Sequence, residues 1–198
     1  GRNAQSFKVE MVNFSDGLTL CPLDDYKFEV KALLDDNEAG AKFTWNFGDD
    51  RFFSTDEPFF EYNYKNGGTY VITVKAEYQD FSAEQTSTVK VGIKPSFREF
   101  FADKNNICLG EKITLSMPVR DSVTEGFTAE YDLRRAVWSG RGVSATKEGV
   151  AECTPPEYGT TRYVFMIADG FGCYYDTEVF AEVEKPGFQG ATEPTVFI

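Results

Sequence analysis

The chain has 198 residues, 41% of them hydrophobic and 16% aromatic, enough for one large β-domain or two modules of about 100 residues each. Its formal net charge of −12, from 32 acidic and 20 basic residues, repels phosphate backbones and makes nucleic acid a poor partner. It contains no histidine, which excludes Ser-His-Asp and Cys-His nucleophile pairs and HExxH zinc sites. No run of about eighteen apolar residues occurs, so the sequence predicts no transmembrane segment.

The first half of the chain alternates apolar and polar residues, a pattern typical of half-buried strands. Three runs show it, and their apolar members are Phe43, Trp45 and Phe47, then Tyr70, Ile72, Val74 and Ala76, then Val89, Val91 and Ile93. Turn-forming residues stand between strands, at Asp35-Asp36-Asn37, Gly48-Asp49-Asp50 and Asn66-Gly67-Gly68. Short alternating strands separated by such turns predict an antiparallel β-sandwich.

The second half repeats this organisation. The spacing from Trp45 to Tyr70 equals the spacing from Trp138 to Tyr163, and each tyrosine begins an alternating run. The later runs are Tyr163, Phe165 and Ile167, then Val179, Ala181 and Val183, with a turn at Asp169-Gly170. The segment 121–135 fits neither pattern and is either an inserted loop or an added hairpin. We therefore predict an all-β fold of two tandem immunoglobulin-like antiparallel β-sandwiches.

A proline marks the predicted boundary between the two modules. Lys94-Pro95-Ser96 follows the last alternating run of the first half, and proline suits a strand end because it has no N–H for the ladder. We predict a first module over residues 7–94 and a second over residues 96–184. Residues 185–198 form a C-terminal tail or the start of a further module.

Three ordered blocks of the first module resemble the PKD repeat. They are Trp45-Asn46-Phe47-Gly48-Asp49-Asp50, then Glu57-Pro58 with Phe60, Tyr62 and Tyr64, then Gly68-Thr69-Tyr70-Val71-Ile72-Thr73-Val74. The family pattern is a W-x-F-G-D-G core strand, a P-x-H-x-Y turn and a G-x-Y-x-V-x-L-x-V strand. Asp50 stands where glycine is usual, and Phe60 where histidine is usual. The resemblance covers roughly residues 7–94 and implies that Phe60 lines the core.

The second module resembles the Ig-like repeats of secreted bacterial adhesins and gliding-motility-associated surface proteins. The residues that carry this resemblance are Cys108-Leu109-Gly110, Trp138-Ser139, Thr154-Pro155, Tyr163, Asp169 and Gly172-Cys173. Both resemblances imply a non-catalytic, exported module of a larger secreted bacterial protein, which serves adhesion, spacing or ligand display. They also imply that the module is extracellular or at the cell surface, where it could be associated with the outer membrane. The alternative is an accessory module of an enzyme or transport system that binds a glycan or a protein. We expect a protein or glycan partner at the cell surface, and a monomeric module.

Four cysteines allow three fully paired connectivities, among which the sequence alone does not choose. The adhesin-like repeats carry a cysteine pair where this chain has Cys108 and Cys173, so the resemblance implies a disulfide between these two. Cys21 and Cys153 are then buried thiols. A Cys21–Cys153 bridge between the modules is the alternative.

Acidic turns supply the candidate metal ligands. Calcium binds six to eight oxygen atoms, and the turns would offer the carboxylates of Asp35, Asp36, Asp49 and Asp50. Aspartate is also common in turns because its side chain bonds its own backbone. Calcium is therefore the one cofactor considered, and otherwise none is predicted.

Two aromatic pairs are candidate binding residues. Phe52 and Phe53 follow the first tryptophan strand, and Tyr174 and Tyr175 follow Cys173, where strand alternation points one of the two tyrosines outward. Paired carboxylates could cleave glycosides, with Asp132 as a candidate. Small sandwiches present few clefts for such a pair, so we predict no enzymatic activity.

Overall fold

The structure, a computed structural model, describes residues 4–97, 101–102, 107–124 and 127–186. The chain divides into two compact units, with the main division between Ile93 and Lys94. Every regular element of the described residues is a strand except one 3-10 helix, Leu133–Arg135. The predicted all-β fold is confirmed. No helix in this part of the chain is long and apolar enough to cross a membrane.

The first unit contains two sheets. Its strands are β1 (Phe7–Met11), β2 (Leu18–Leu20), β3 (Tyr26–Leu34), β4 (Asn37–Glu38), β5 (Lys42–Asn46), β6 (Phe52–Thr55), β7 (Phe59–Tyr62), β8 (Gly68–Tyr78) and β9 (Phe81–Val91). In the four-stranded sheet, β3 pairs with β1, β4 and β7. The five-stranded sheet has the order β2-β9-β8-β5-β6, in which β2 runs parallel to β9 and the other pairs are antiparallel.

The inner faces of these two sheets form one core. The predicted alternation places Phe43, Trp45 and Phe47 in that core, and all three are buried. The core residues of the first unit are Val9, Phe14, Phe28, Val30, Ala32, Ala41, Phe43, Trp45, Phe47, Tyr62, Tyr64, Ile72, Val74, Ala76, Val89 and Val91. They come from both sheets, as a sandwich requires.

The second unit contains two larger sheets and a hairpin. Its strands are β10 (Phe101–Ala102), β11 (Ile113–Ser116), β12 (Ser122–Thr124), β13 (Phe127–Ala129), β14 (Val137–Ser139), β15 (Val143–Lys147), β16 (Val150–Cys153), β17 (Gly159–Ala168) and β18 (Tyr174–Val183). The sheets have the orders β10-β11-β16-β15 and β14-β17-β18, and β12 pairs with β13. The segment 121–135 is therefore an added hairpin followed by the 3-10 helix, one of the two predicted alternatives.

The tryptophan strand of the second unit faces its core. Trp138, Tyr163, Phe165 and Ile167 are all buried, as the alternation predicts. The indole N–H of Trp138 donates to the carbonyl of Gly149 at 3.1 Å, which ties β14 to the turn between β15 and β16 in the other sheet. Of the predicted C-terminal segment 185–198, residues 187–198 lie outside the described residues.

Candidate functional site

A cluster of aromatic rings fills one end of the first unit, with Phe47 at its centre. Phe47 stacks on Tyr62 at a centroid distance of 4.0 Å and on Trp45 at 5.8 Å. The other rings in contact with Phe47 are Phe28, Phe53, Phe60 and Tyr64. Aromatic pairs at such distances add stabilisation beyond the area that they bury. The rings of the PKD-like blocks thus serve mainly to pack this core.

The turn after Phe47 depends on two residues with positive φ angles. Gly48 has a φ of 81°, and a Cβ there would lie 2.6 Å from the carbonyl oxygen of Val71, so only glycine fits. Asp50 has a φ of 65°, and thus adopts the left-handed conformation for which the family uses glycine. The substitution of aspartate for glycine therefore preserves the turn.

The same turn provides a polar contact to the cluster. The hydroxyl of Tyr62 donates a hydrogen bond to the carboxylate of Asp49. Burial, followed by this hydrogen bond, raises the pKa of Tyr62 to about 12. The hydroxyl of Tyr64 donates to the carbonyl of Phe47 at 2.7 Å, and burial raises its pKa as well. Both phenols therefore stay protonated at neutral pH and act as structural donors.

A cleft opens in the four-stranded sheet of the first unit and has a volume of about 420 Å³. Val30, Ala41 and Phe43 provide apolar lining. Its polar and outer lining residues are Glu29, Lys31, Glu38, Asp56, Pro58 and Phe59. Phe59 is partly exposed, and the ammonium of Lys27 lies 4.1 Å from the centre of its ring. The cleft thus combines an apolar floor, a ring and three carboxylates.

A buried carboxylate organises the β17–β18 connection in the second unit. Asp169 is only 2% exposed, and its Oδ1 accepts the backbone N–H groups of Phe171 and Cys173, each at 2.9 Å. Its Oδ2 accepts the hydroxyl of Tyr175 at 2.8 Å. Burial and then this bond raise the pKa of Tyr175. Because both of its carboxyl oxygens accept hydrogen bonds, Asp169 has a structural role and fixes the backbone of Cys173.

The predicted disulfide between Cys108 and Cys173 is wrong. Cys21 and Cys173 are each disulfide-bonded, whereas Cys108 is an exposed free thiol and Cys153 is a buried thiol. The physical reason is that a cysteine that keeps its thiol is not a member of a disulfide, and Cys108 keeps its thiol. The alternative Cys21–Cys153 bridge is wrong for the same reason.

The structure does not bring the four predicted calcium ligands together. Asp35 and Asp36 form the turn after β3, both with positive φ, as in a two-residue hairpin. Asp49 and Asp50 lie near the opposite end of β3, where Tyr62 pairs with its first residue. The nine residues of β3 separate the two pairs by on the order of 25 Å. Among the described residues, no group of three or more acidic or cysteine side chains is placed to hold a metal ion.

Each candidate aromatic pair is split by strand alternation. Phe52 is 66% exposed, whereas Phe53 packs against Phe47 in the ring cluster. Tyr174 is 62% exposed, whereas Tyr175 is buried on Asp169. Neither pair therefore forms a two-ring platform. Within the first unit, the exposed rings of Phe52 and Phe59 lie on different sheets.

Asp132 is placed as a cap and not as an acid catalyst. Its carboxylate accepts the backbone N–H of Arg134 at 3.0 Å and the Nε–H of that side chain at 2.9 Å. The hydrogen bond from the Arg134 side chain is the main cause of a lowered pKa for Asp132. A general acid of a glycoside hydrolase needs the opposite shift.

One known protein family matches part of the first unit. The PKD domain family matches residues 22–91, which confirms the resemblance of the first module over that range. No curated protein matches the chain. The resemblance of the second module to adhesin repeats stays a prediction.

Three solved structures are similar over most of the chain. Fibronectin(III)-like modules of CbhA from Clostridium thermocellum align with 16% identity over 89% of this chain and 94% of theirs, with a TM-score of 0.37. Three N-terminal domains of the outer capsid protein Hoc of bacteriophage RB49 align with 13% identity over 91% and 71%, with a TM-score of 0.42. Extracellular domains 3–5 of Drosophila OTK align with 12% identity over 90% and 61%, with a TM-score of 0.37.

Sequence reasoning missed two of these features. It identified Asp169-Gly170 only as a turn and did not predict that the carboxylate of Asp169 is buried. The available signal was the two glycines on either side of Phe171, which are typical of a tight loop. It also missed the cleft. The available signal was Pro58, directly before β7, because a proline has no N–H to donate to the neighbouring strand.

Proposed function

We propose that this chain is a non-catalytic extracellular module of a larger secreted bacterial protein, serving adhesion, spacing or ligand display. One observation carries the proposal: the unit whose residues 22–91 match the PKD domain family also contains a disulfide-bonded cysteine, Cys21. Disulfides persist in oxidising compartments, which supports export. The division of the chain near Lys94 supports two modules over residues 7–94 and 96–184.

Carboxylate and hydroxyl groups of the kind that catalysis uses have structural hydrogen bonds in this chain, which supports a non-catalytic role. The buried carboxylate of Asp169 and the hydroxyls of Tyr62 and Tyr64 each have a partner within their own unit. Asp132 caps a helix. These groups stabilise two sandwiches, as a spacer or display module requires.

Export and surface location are tested on intact cells of the source organism. Surface proteolysis should cleave the protein before lysis, and alkylation before reduction should label Cys108 but neither Cys21 nor Cys173. Cys108 is the internal control because its thiol is free and exposed. Cleavage only after lysis, together with alkylation of Cys21 and Cys173 as thiols, would contradict the proposal.

The second candidate function is an accessory module that binds a glycan or a protein. The cleft beside Phe59 favours it, since an exposed ring above an apolar floor is a common binding arrangement. An array of glycans and matrix proteins, screened with and without calcium, tests this function. Saturable binding supports it, and a blank array leaves the spacer role.

A further inference from the structure

The sheet β14-β17-β18 of the second unit carries apolar side chains on the face that points away from its core. Strand alternation turns Trp138, Phe165 and Val179 inward, so the alternate positions of each strand point outward. The apolar residues at those outward positions, which we call the apolar patch, are Val137, Val164, Met166, Tyr174 and Phe180. Val164 is half-buried, and the other four are between 36% and 62% exposed. The patch is therefore accessible to a partner.

Strand pairing makes the apolar patch continuous. Val137 stands directly opposite Met166, and Val164 is the next outward residue of β17. Across β17 and β18, Tyr174 is the diagonal neighbour of Met166, and Phe180 is the diagonal neighbour of Val164. Opposite and diagonal neighbours on one face of a sheet lie within reach of each other's long side chains. The five residues therefore form one surface and are not scattered exposed positions.

The corresponding face of the first unit is polar. There β5, β8 and β9 take the places of β14, β17 and β18, and the outward residues of β8 are Thr69, Val71, Thr73, Lys75 and Glu77. Val71 is the only apolar residue of this set. The first unit thus builds the same strand order without an apolar outer face, so the sandwich itself does not require the patch. An exposed apolar surface that folding does not require is typical of an interaction site.

The charges beside the apolar patch are mostly acidic and lie along β18. The Nε–H of Arg162 donates to the carboxylate of Glu178 at 2.7 Å, so this carboxylate is already neutralised. The outward carboxylates of Asp176 and Glu182 have no ion-pair partner among the described residues. Arg135 donates to the tyrosine hydroxyl of the patch at 3.4 Å. One side of the patch therefore presents two carboxylates that a cationic partner would neutralise.

We propose that the apolar patch binds an amphipathic helix of a partner protein, one whose apolar stripe is flanked by lysine or arginine. The three strand axes span about 10 Å, which matches the diameter of one helix lying along the strands. The apolar stripe packs on Val164 and Met166, and the cations pair with Asp176 and Glu182. A second copy of this chain is a poorer occupant, because it would bring further unpaired carboxylates to the same surface. This inference rests on the proposed role in adhesion or ligand display and names its partner.

Fluorescence anisotropy on the full chain tests the apolar contact. The probe is a labelled helical peptide of about 20 residues, built from leucine, alanine and lysine, with the lysines beside one leucine stripe. We expect saturable binding, and Met166→Lys should weaken it at least about tenfold because it places a charge at the centre of the patch. Val71→Lys is the matched control: it introduces the same charge at the exposed apolar position of β8 and should leave binding unchanged. A lack of saturable binding, or equal weakening by both variants, would overturn the proposal.

Two changes of charge test the acidic side of the patch. Asp176→Asn should weaken binding on the order of fivefold at low salt, because it removes an unpaired carboxylate while keeping the shape of an exposed side chain. Asp80→Asn removes the same charge from an exposed turn of the first unit and should have no effect. A peptide with glutamate in place of lysine should bind at least about tenfold more weakly than the lysine peptide. Equal binding of the two peptides would contradict the proposed charge pairing.

Other occupants of the apolar patch would give different results. Sedimentation velocity should show that the full chain is a monomer in the absence of the peptide. A dimer that Met166→Lys dissociates would assign the patch to a second copy, and displacement of the peptide by a β-glucan oligosaccharide would assign it to a glycan; either result refutes the proposal. These measurements can fail while surface location stands, and surface location can fail while the peptide binds, so the two proposals are distinguishable.

Discussion

The two units use the same strand order with a different register. In the first unit the tryptophan strand β5 lies beside the tyrosine strand β8 and then β9, and in the second β14 lies beside β17 and then β18. Trp45 stands opposite Val74, four residues after Tyr70, whereas Trp138 stands opposite Phe165, two residues after Tyr163. A shift of two residues keeps every side chain on its face. The equal spacing from tryptophan to tyrosine in the two units therefore goes with the same order of these three strands and the same inward-facing side chains. It does not place the tryptophan opposite the same residue of the neighbouring strand.

The units also differ in how they stabilise their strand connections. The first joins β8 to β9 through two exposed residues, Gln79 and Asp80, and concentrates its contacts in the rings around Phe47. The second builds its β17–β18 connection around the buried carboxylate of Asp169. One unit thus depends on ring packing, and the other also depends on a buried polar network.

Removing the central ring should cause the largest effect. Phe47→Ala is expected to destabilise the first unit by about 3–5 kcal/mol, because it leaves a cavity among six rings. Hydrogen exchange resolved by peptide should show the loss in strands β5 and β8. Phe52→Ala, at an exposed position on the next strand, should cost no more than about 0.5 kcal/mol. Similar losses for the two variants would contradict a ring-based core.

Removing the buried carboxylate should cause the next largest effect, in the second unit. Asp169→Ala is expected to cost about 3 kcal/mol, since it leaves two backbone N–H groups and the hydroxyl of Tyr175 without their acceptor. Asp169→Asn should cost less because it keeps one acceptor oxygen. Protection of strands β17 and β18 from hydrogen exchange measures both. Asp176→Ala, on the exposed face of β18, is the control, and a loss equal to that of Asp169→Ala would refute the network.

The two tryptophans should respond differently to the same substitution. Trp138→Phe removes the donor to the Gly149 carbonyl, whereas the indole N–H of Trp45 has no hydrogen-bond partner among the described residues. We expect Trp138→Phe to cost its own unit about 1–2 kcal/mol more than Trp45→Phe costs the first unit. Peptide-resolved hydrogen exchange gives both values. Equal losses would mean that the indole hydrogen bond contributes nothing.

Raising the pH above 10 should gradually lower the free energy of unfolding of the first unit. The pKa of Tyr62 is about 12 in the folded chain, above the value of about 10 for an unfolded tyrosine, so the folded state holds the proton more tightly. The resulting stabilisation is complete below pH 10 and is lost as the pH rises towards 12. Urea unfolding between pH 9 and 11.5 should give a shallower pH dependence for Tyr62→Phe than for the unchanged chain. Tyr174→Phe, an exposed control, should keep the original slope.

The sequence predicts what alternation and turn chemistry determine. The apolar members of the predicted strands, such as Ile72 and Phe165, are buried because a period of two directs them inward. Which cysteines are disulfide-bonded, Cys21 and Cys173, could not be predicted, because this depends on tertiary placement and not on local pattern. The separation of Asp35 from Asp49 depends on the length and direction of β3. The cleft depends on where two short strands stop along the same edge.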